Sequence, residues 1–483
     1  MINPAREEDA LNRYELEPSA DTMRQWVNQA MERIVSYVES LPDQPAADVT
    51  DIASLARSVT QPLPEHPEPF PQILELLFDK LIPKRFNTAG PGYLAYIPGG
   101  GIFHSAVADL IADAVNPYVG VWLAAPALAQ VEATVVRWFA EIVGYPQESR
   151  GVLTTGGSMA NFIALATARR NRLPEDFLSG TLYTSDQVHH SVVKAATLAG
   201  FPERNVREIP SDGRFRIRLD LLQERIEADR HKGFLPFLIV ASAGTTNTGA
   251  VDDLSALADL AERENLWLHV DAAYGGFFNL TERGRKALQG IERADSIVLD
   301  PHKALFIPYG TGSLLVRNGE ALRRAHALHA EYLPPMQDDP DFVDFCLYSP
   351  ELSRSFRGLR VWLPIKLHGI GPFRTNLDEK LDLAIWAADQ LRSIPGIEIV
   401  AEAQLSIVAF RLADSSLSAN GLDALNQRLL DRINARKRVY LTATTLAGRF
   451  AIRICVLSFR THKERMQAAI EDICAAVEEV RAG

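Results

Sequence analysis

The chain has 483 residues, too many for one compact core, so two or three domains are expected. With 47% hydrophobic and 23% charged residues it reads as a folded globular protein, and a formal net charge of −11 argues against a nucleic-acid or anionic-membrane partner. Three cysteines, Cys346, Cys455 and Cys474, are too few for a disulfide framework and lack metal-ligand spacing, so they are expected as small core residues.

The start, "MINPAREEDALNRYELEP", is charged and lacks the apolar core of a signal peptide. No stretch approaches the length of a bilayer span, and a cytoplasmic location is expected. Residues 1–85 read as a helical arm. In "ADTMRQWVNQAMERIVSYVESL" (20–41), Met23, Trp26, Val27, Met31 and Ile34 recur at helical spacing on one face. The prolines of "QPLPEHPEPFP" (61–71) interrupt that pattern. An arm with no core of its own is expected to cover another domain or another subunit.

Over 86–375 strand and helix patterns alternate. "GVLTTGG", "TLYTSD", "PFLIVASAG", "LWLHVDAAYGG", "DSIVLDPHK" and "GSLLVRN" are the strand-like runs. Helical stretches such as "SMANFIALATARRNR" and "LSALADLAEREN" separate them. That alternation predicts an α/β domain with a mostly parallel sheet covered on both faces. Residues 376–483 mix helices with "IEIVAEAQLSIVAFRL" and "FAIRICVLSF", as expected of a small α+β domain.

Ligands of an open parallel sheet collect beyond the carboxyl ends of its strands, and four polar clusters fall there. "TTGGSMAN" (154–161) sets Gly157 and Ser158 between a strand and a helix, where backbone N–H groups and the helix dipole suit a phosphate; alone it also reads as a common turn. "SDQVHHS" (185–191) brings His189 and His190 to a helix start. "HVDAAYGG" (269–276) ends an apolar strand on Asp271, which alone reads as a helix cap. "DPHK" (300–303) places Lys303 between apolar runs, where a lone lysine reads as a side chain snorkelling to water.

Together the clusters describe a site for pyridoxal 5′-phosphate. Lys303 is the amine for its aldehyde, Asp271 the partner of its pyridine nitrogen, and His189 a flat ring against its face.

Order and wording resemble the group II pyridoxal-phosphate decarboxylases, and among them the aromatic L-amino acid decarboxylases most. The resemblance runs from "GPGYLAYIPGG" (90–100) through "VWLAAPALAQVE" (121–132), "TTGGSMAN", "SDQVHHS", "AGTTNTGAVDD" (243–253), "HVDAAYGG" and "DPHK" to "SFRGLRVW" (355–362). It implies the aspartate-aminotransferase fold with a seven-stranded sheet, and a homodimer whose arm wraps the second subunit. It also implies phosphate contacts from Gly157 and Ser158, Thr246 beside the ring, and His302 near phosphate and substrate. His190 is not carried over. Asp300, where the motif often reads asparagine, joins the cofactor set; its charge should repel a phosphate unless it is paired or turned away. Tyr96, Pro98, Gly99, Tyr118 and Gly120 are expected to line the substrate pocket with His302. At Gly99 and Gly120 animal relatives carry threonine and phenylalanine, so a wider pocket is expected, or neighbours that have collapsed inward.

"HAEYLPPMQDDPDFVDFCLYS" (329–349) resembles the family's mobile active-site loop, with Tyr332 as proton donor. Aldehyde-forming relatives tend to carry phenylalanine there, so amine formation is expected over an aldehyde synthase. Non-aromatic substrates such as glutamate, aspartate or diaminobutyrate stay open. A metal hydrolase using His269-x-Asp271 and Asp300-x-His302 would leave Lys303 unexplained, so no metal is expected. A non-catalytic cofactor binder would have no use for Tyr332. For Arg354, Arg357 and Arg453, substrate contact and structural pairing both stay open.

Overall fold

The computed structural model describes residues 16–327, 331 and 333–482. The helix Ala20–Ser40 starts where the Ser19 hydroxyl accepts the Thr22 N–H. None of its residues is buried, and Met23, Trp26 and Val27 are each about 40% exposed, at 39%, 42% and 44%. The prolines of 61–71 carry no helix until Phe70–Glu75.

The main sheet has the order β1-β7-β6-β5-β4-β2-β3, formed by β1 (Arg150–Thr154), β2 (Gly180–Ser185), β3 (Val206–Ile209), β4 (Leu235–Ser242), β5 (Trp267–Asp271), β6 (Ser296–Leu299) and β7 (Gly312–Val316). Only β7 runs against its neighbours. The segment 300–311 between β6 and β7 holds a single short helix, Pro301–Ala304, too little for a crossover, so the chain doubles back. The central strands are apolar on both faces because helices cover both. β3 was not legible beforehand: its Val206-Arg207-Glu208-Ile209 is short, polar and at the sheet edge.

A second, antiparallel sheet has the order β10-β11-β9-β8, from β8 (Ile397–Ala401), β9 (Ile407–Leu412), β10 (Thr442–Leu446) and β11 (Arg449–Cys455). The helix Gly371–Ser393 crosses the boundary expected at 375/376. Phe373, Leu377 and Leu381 pack into the main core, whereas Leu383, Ala384, Ala387 and Leu391 pack into the core of the small sheet. All three cysteines are free thiols, Cys455 buried and the other two partly so. No helix among the described residues is long and apolar enough to cross a membrane.

Candidate active site

β6 ends at Leu299, and Pro301, whose φ suits a first helical position, turns the chain into Pro301–Ala304. On that turn Lys303 Nζ lies 3.0 Å from Asp300 Oδ2, with His302 Nε2 3.6 Å from the same oxygen. Asp300 is therefore paired, and it is 2% exposed. Its other oxygen, Oδ1, is buried without a hydrogen-bond partner. His302 Nδ1 donates to the Thr311 carbonyl at 2.6 Å. Burial holds the His302 imidazole below the usual histidine range, against the pull of Asp300.

Asp271 ends β5. Its Oδ1 accepts the Ala273 N–H at 3.2 Å and its Oδ2 the Asn161 amide at 3.1 Å. The next helical turn begins only at Gly276, so the carboxylate caps no helix. His189 does cap a helix, His190–Leu198, its Nδ1 accepting the Ser191 N–H at 3.3 Å. Burial lowers its pKa, with Asp271 opposing. Gly157 opens the helix Gly157–Arg172, leaving first-turn N–H groups free to bind an anion. A Cβ at Gly157 would lie 2.9 Å from Asp300 Oδ2 and 3.3 Å from Ala273 Cβ, so this helix end packs closely against the "DPHK" turn. Thr246 follows β4, and Arg453 holds its loop by donating to the Thr246 carbonyl and, at 2.9 Å, to that of Asn247.

One cavity of about 280 Å³ gathers Gly157, Ser158, His189, Thr246, Asp271, Asp300, His302 and Lys303, every cofactor contact expected from the sequence. Asn161, Ser191, Thr245 and Tyr274 also line it and were not singled out. Asn161 sits inside the quoted "TTGGSMAN", but nothing local marks it.

The substrate residues divide. Tyr96, in a left-handed conformation with φ 50°, borders a neighbouring cavity with His189, Thr246 and Arg453. His302 borders both the cofactor cavity and an apolar one of about 430 Å³ walled by Tyr37, Phe78, Phe103 and Tyr309. Pro98, Gly99, Tyr118 and Gly120 border none of these three. The wider-pocket expectation at the two glycines needs correction. A Cβ at Gly120 would overlap the Leu352 carbonyl oxygen, and one at Gly99 would overlap the His302 carbonyl and lie 3.0 Å from that of Lys303. Both are close approaches of backbone to backbone rather than spared volume. Gly120→Ala is accordingly expected to lower Tm and to cut activity on all substrates alike; a loss confined to tryptophan would restore the pocket reading.

Arg354 and Arg357 are structural. Arg354 pairs with Glu132, both side chains fully buried, and Arg357 pairs with Glu351 at 2.7 Å. Both arginines also donate to the Leu153 carbonyl at the end of β1. The metal-hydrolase alternative fails at His269, whose two ring nitrogens bond Ser296 and Asn161. Burial pushes that imidazole down to about 4. Tyr332 lies outside the described residues. Beyond it Asp344 ties the loop down, accepting the Gln337 N–H at 2.8 Å and the Trp122 N–H at 2.7 Å.

A seven-stranded sheet with a lysine, a carboxylate, a histidine and a helix N-terminus at neighbouring strand ends defines a pyridoxal-phosphate enzyme of the aspartate-aminotransferase fold. The pyridoxal-dependent decarboxylase conserved domain matches residues 53–413, and the chain belongs to that family. It is 36% identical to an aromatic-L-amino-acid decarboxylase of Bacillus atrophaeus, over 96% of this chain and 97% of the other. Identity to a tryptophan decarboxylase of Camptotheca acuminata is 31%, covering 94% of each. Among solved structures, the Oryza sativa enzyme with the cofactor and tryptamine superposes with a TM-score of 0.92 at 28% identity, covering 96% of this chain and 99% of that one. Catharanthus roseus tryptophan decarboxylase in complex with L-tryptophan gives 0.90 at 28% identity, over 96% and 100%.

Pyridoxal phosphate is thus the cofactor, and the residues present fit it. The cavity offers free N–H groups for a phosphate, a carboxylate for a ring nitrogen, an imidazole and a primary amine.

Proposed function

We propose that this enzyme decarboxylates aromatic L-amino acids to the corresponding amines. The observation that carries the substrate class is the apolar cavity meeting the cofactor cavity at His302. Arg460, the cation on its wall, donates through Nη1 to the carbonyls of Ala89 and Gly100 at 3.0 and 2.6 Å. The names of the relatives support the same reading. Carbon dioxide release across a panel of amino acids tests it. Turnover of tryptophan, tyrosine, phenylalanine or DOPA is expected, and activity confined to glutamate, aspartate or diaminobutyrate would overturn it.

When bound, the cofactor supplies a covalent anchor for the substrate amine and an electron sink for the bond that breaks at Cα. In our assignment the protein does the rest. Gly157 and Ser158 hold the phosphate by backbone N–H groups, Asp271 keeps a proton on the ring nitrogen, and His189 packs on the ring. Lys303 is the amine that anchors the cofactor and yields its place to the substrate. Tyr332 delivers the proton to Cα after carbon dioxide leaves. Tyr332→Phe is expected to convert amino acid, dioxygen and water into aldehyde, carbon dioxide, ammonia and hydrogen peroxide. A peroxide assay reads this, and unchanged amine output would require another donor.

The exposed apolar face of Ala20–Ser40 supports a homodimer in which each arm covers the other subunit. Sedimentation is expected to give a dimer, and an active monomer would contradict it. Three unpaired thiols support a cytoplasmic location.

A further inference from the structure

Behind the cofactor cavity runs a chain of buried polar side chains with no part in the steps above. Trp267 Nε1 donates to Ser296 Oγ at 2.8 Å, and that oxygen lies 2.8 Å from His269 Nδ1. His269 Nε2 is 2.9 Å from Asn161 Oδ1. Asn161 Nδ2 then reaches both Asp271 Oδ2 at 3.1 Å and Ser191 Oγ at 3.0 Å. Ser191 Oγ in turn lies 2.8 Å from His189 Nδ1. Trp267, Ser296, His269, Asn161 and Ser191 are each 4% exposed or less.

The ends of this chain decide the protons in the middle. A carboxylate only accepts, so Asn161 must turn its NH₂ toward Asp271; the opposite orientation would oppose two oxygens. Asn161 Oδ1 then faces His269, which must carry its proton on Nε2. His269 Nδ1 is left to accept from the Ser296 hydroxyl, whose lone pair takes the indole N–H of Trp267. On the other branch the Ser191 backbone N–H can only donate, so His189 Nδ1 is bare. The Ser191 hydroxyl therefore accepts from Asn161 and donates to His189. A proton on Asp271 Oδ2 would reverse Asn161 and His269, and the Ser296 hydroxyl would lose its acceptor among these groups. Burial supports neutral rings, lowering both histidines and His269 to about 4.

We propose that Asn161, paired with a neutral Nε2–H ring of His269, is the positioning residue of this site: it holds Asp271 ionised and aimed. The inference rests on the assignment of Asp271 to the ring nitrogen.

The test is nitrogen NMR of the histidine-labelled full-length protein, with and without pyridoxal phosphate. His189 and His269 are both expected as neutral Nε2–H rings, and in Asn161→Leu the His269 signal, its Nε2 acceptor gone, should lose its single-tautomer shifts. In parallel, spectral titration should show cofactor affinity falling about tenfold or more in Asn161→Leu and in His269→Leu. His269→Gln, whose amide N–H can reach Asn161 Oδ1, should stay within about threefold of the parent. The double variant Asn161→Leu/His269→Leu should be no worse than Asn161→Leu alone, as for links of one chain. An Nδ1–H tautomer at His269 in the unmodified protein would overturn the proposal even if no variant folds. So would His269→Gln failing as badly as His269→Leu. Full turnover in Asp271→Asn would instead remove the ring-nitrogen assignment, a different outcome from any of these.

Discussion

Lys303→Ala is expected to abolish covalent attachment of the cofactor and to lower turnover by about three orders of magnitude or more. The side chain is the primary amine in the cavity that gathers the cofactor residues, and alanine offers no substitute for it. Stability should also change, because Lys303 is the close partner of Asp300, whose Oδ1 already lacks a hydrogen bond. Removing the ammonium leaves a nearly buried carboxylate unpaired, at a cost of about 1–3 kcal/mol. The pair Lys303→Ala and Lys303→Ala/Asp300→Asn separates the two effects. The double variant should recover Tm while turnover stays absent. Loss of the yellow colour bleached by borohydride checks attachment, and normal amine production by the purified single variant would remove Lys303 from the mechanism.

Asp271→Asn is expected to retain the cofactor yet slow the chemistry by about a hundredfold or more, since a neutral amide cannot hold a ring-nitrogen proton as a carboxylate does. The surroundings sharpen the effect. Both carboxylate oxygens accept, one from Ala273 N–H and one from Asn161 Nδ2. An asparagine must oppose its own NH₂ to one of those donors. Rates at saturating cofactor are the measurement, and an almost unchanged value would reduce Asp271 to a local turn residue. Tm should fall modestly in the same variant, so activity has to be read well below the unfolding transition.

The fold class and the cofactor residues were legible in the sequence because the chemistry of a parallel sheet collects where apolar strands end. Asp271, Lys303, His189 and the Gly157–Ser158 turn each follow directly on such a run, so order along the chain maps onto position around one cavity. A resemblance carried by short motifs added the reaction. Short edge elements such as β3 and β10 carry too few apolar residues to rise above loop. What tertiary structure alone decided are contacts between residues far apart in the chain. Glu132 meets Arg354 across 222 positions, which turns a candidate substrate contact into a buried structural pair. Gly120 and Gly99 read as spared volume until the Leu352 and His302 carbonyls are found against them, because a glycine in a sequence does not show what its missing side chain would strike. Asn161 meets Asp271 across 110 positions, and nothing in its own neighbourhood shows that its amide faces a carboxylate on one side and a histidine on the other. Local pattern reports which groups reach the site; the direction of each hydrogen bond between them is a property of the packed core.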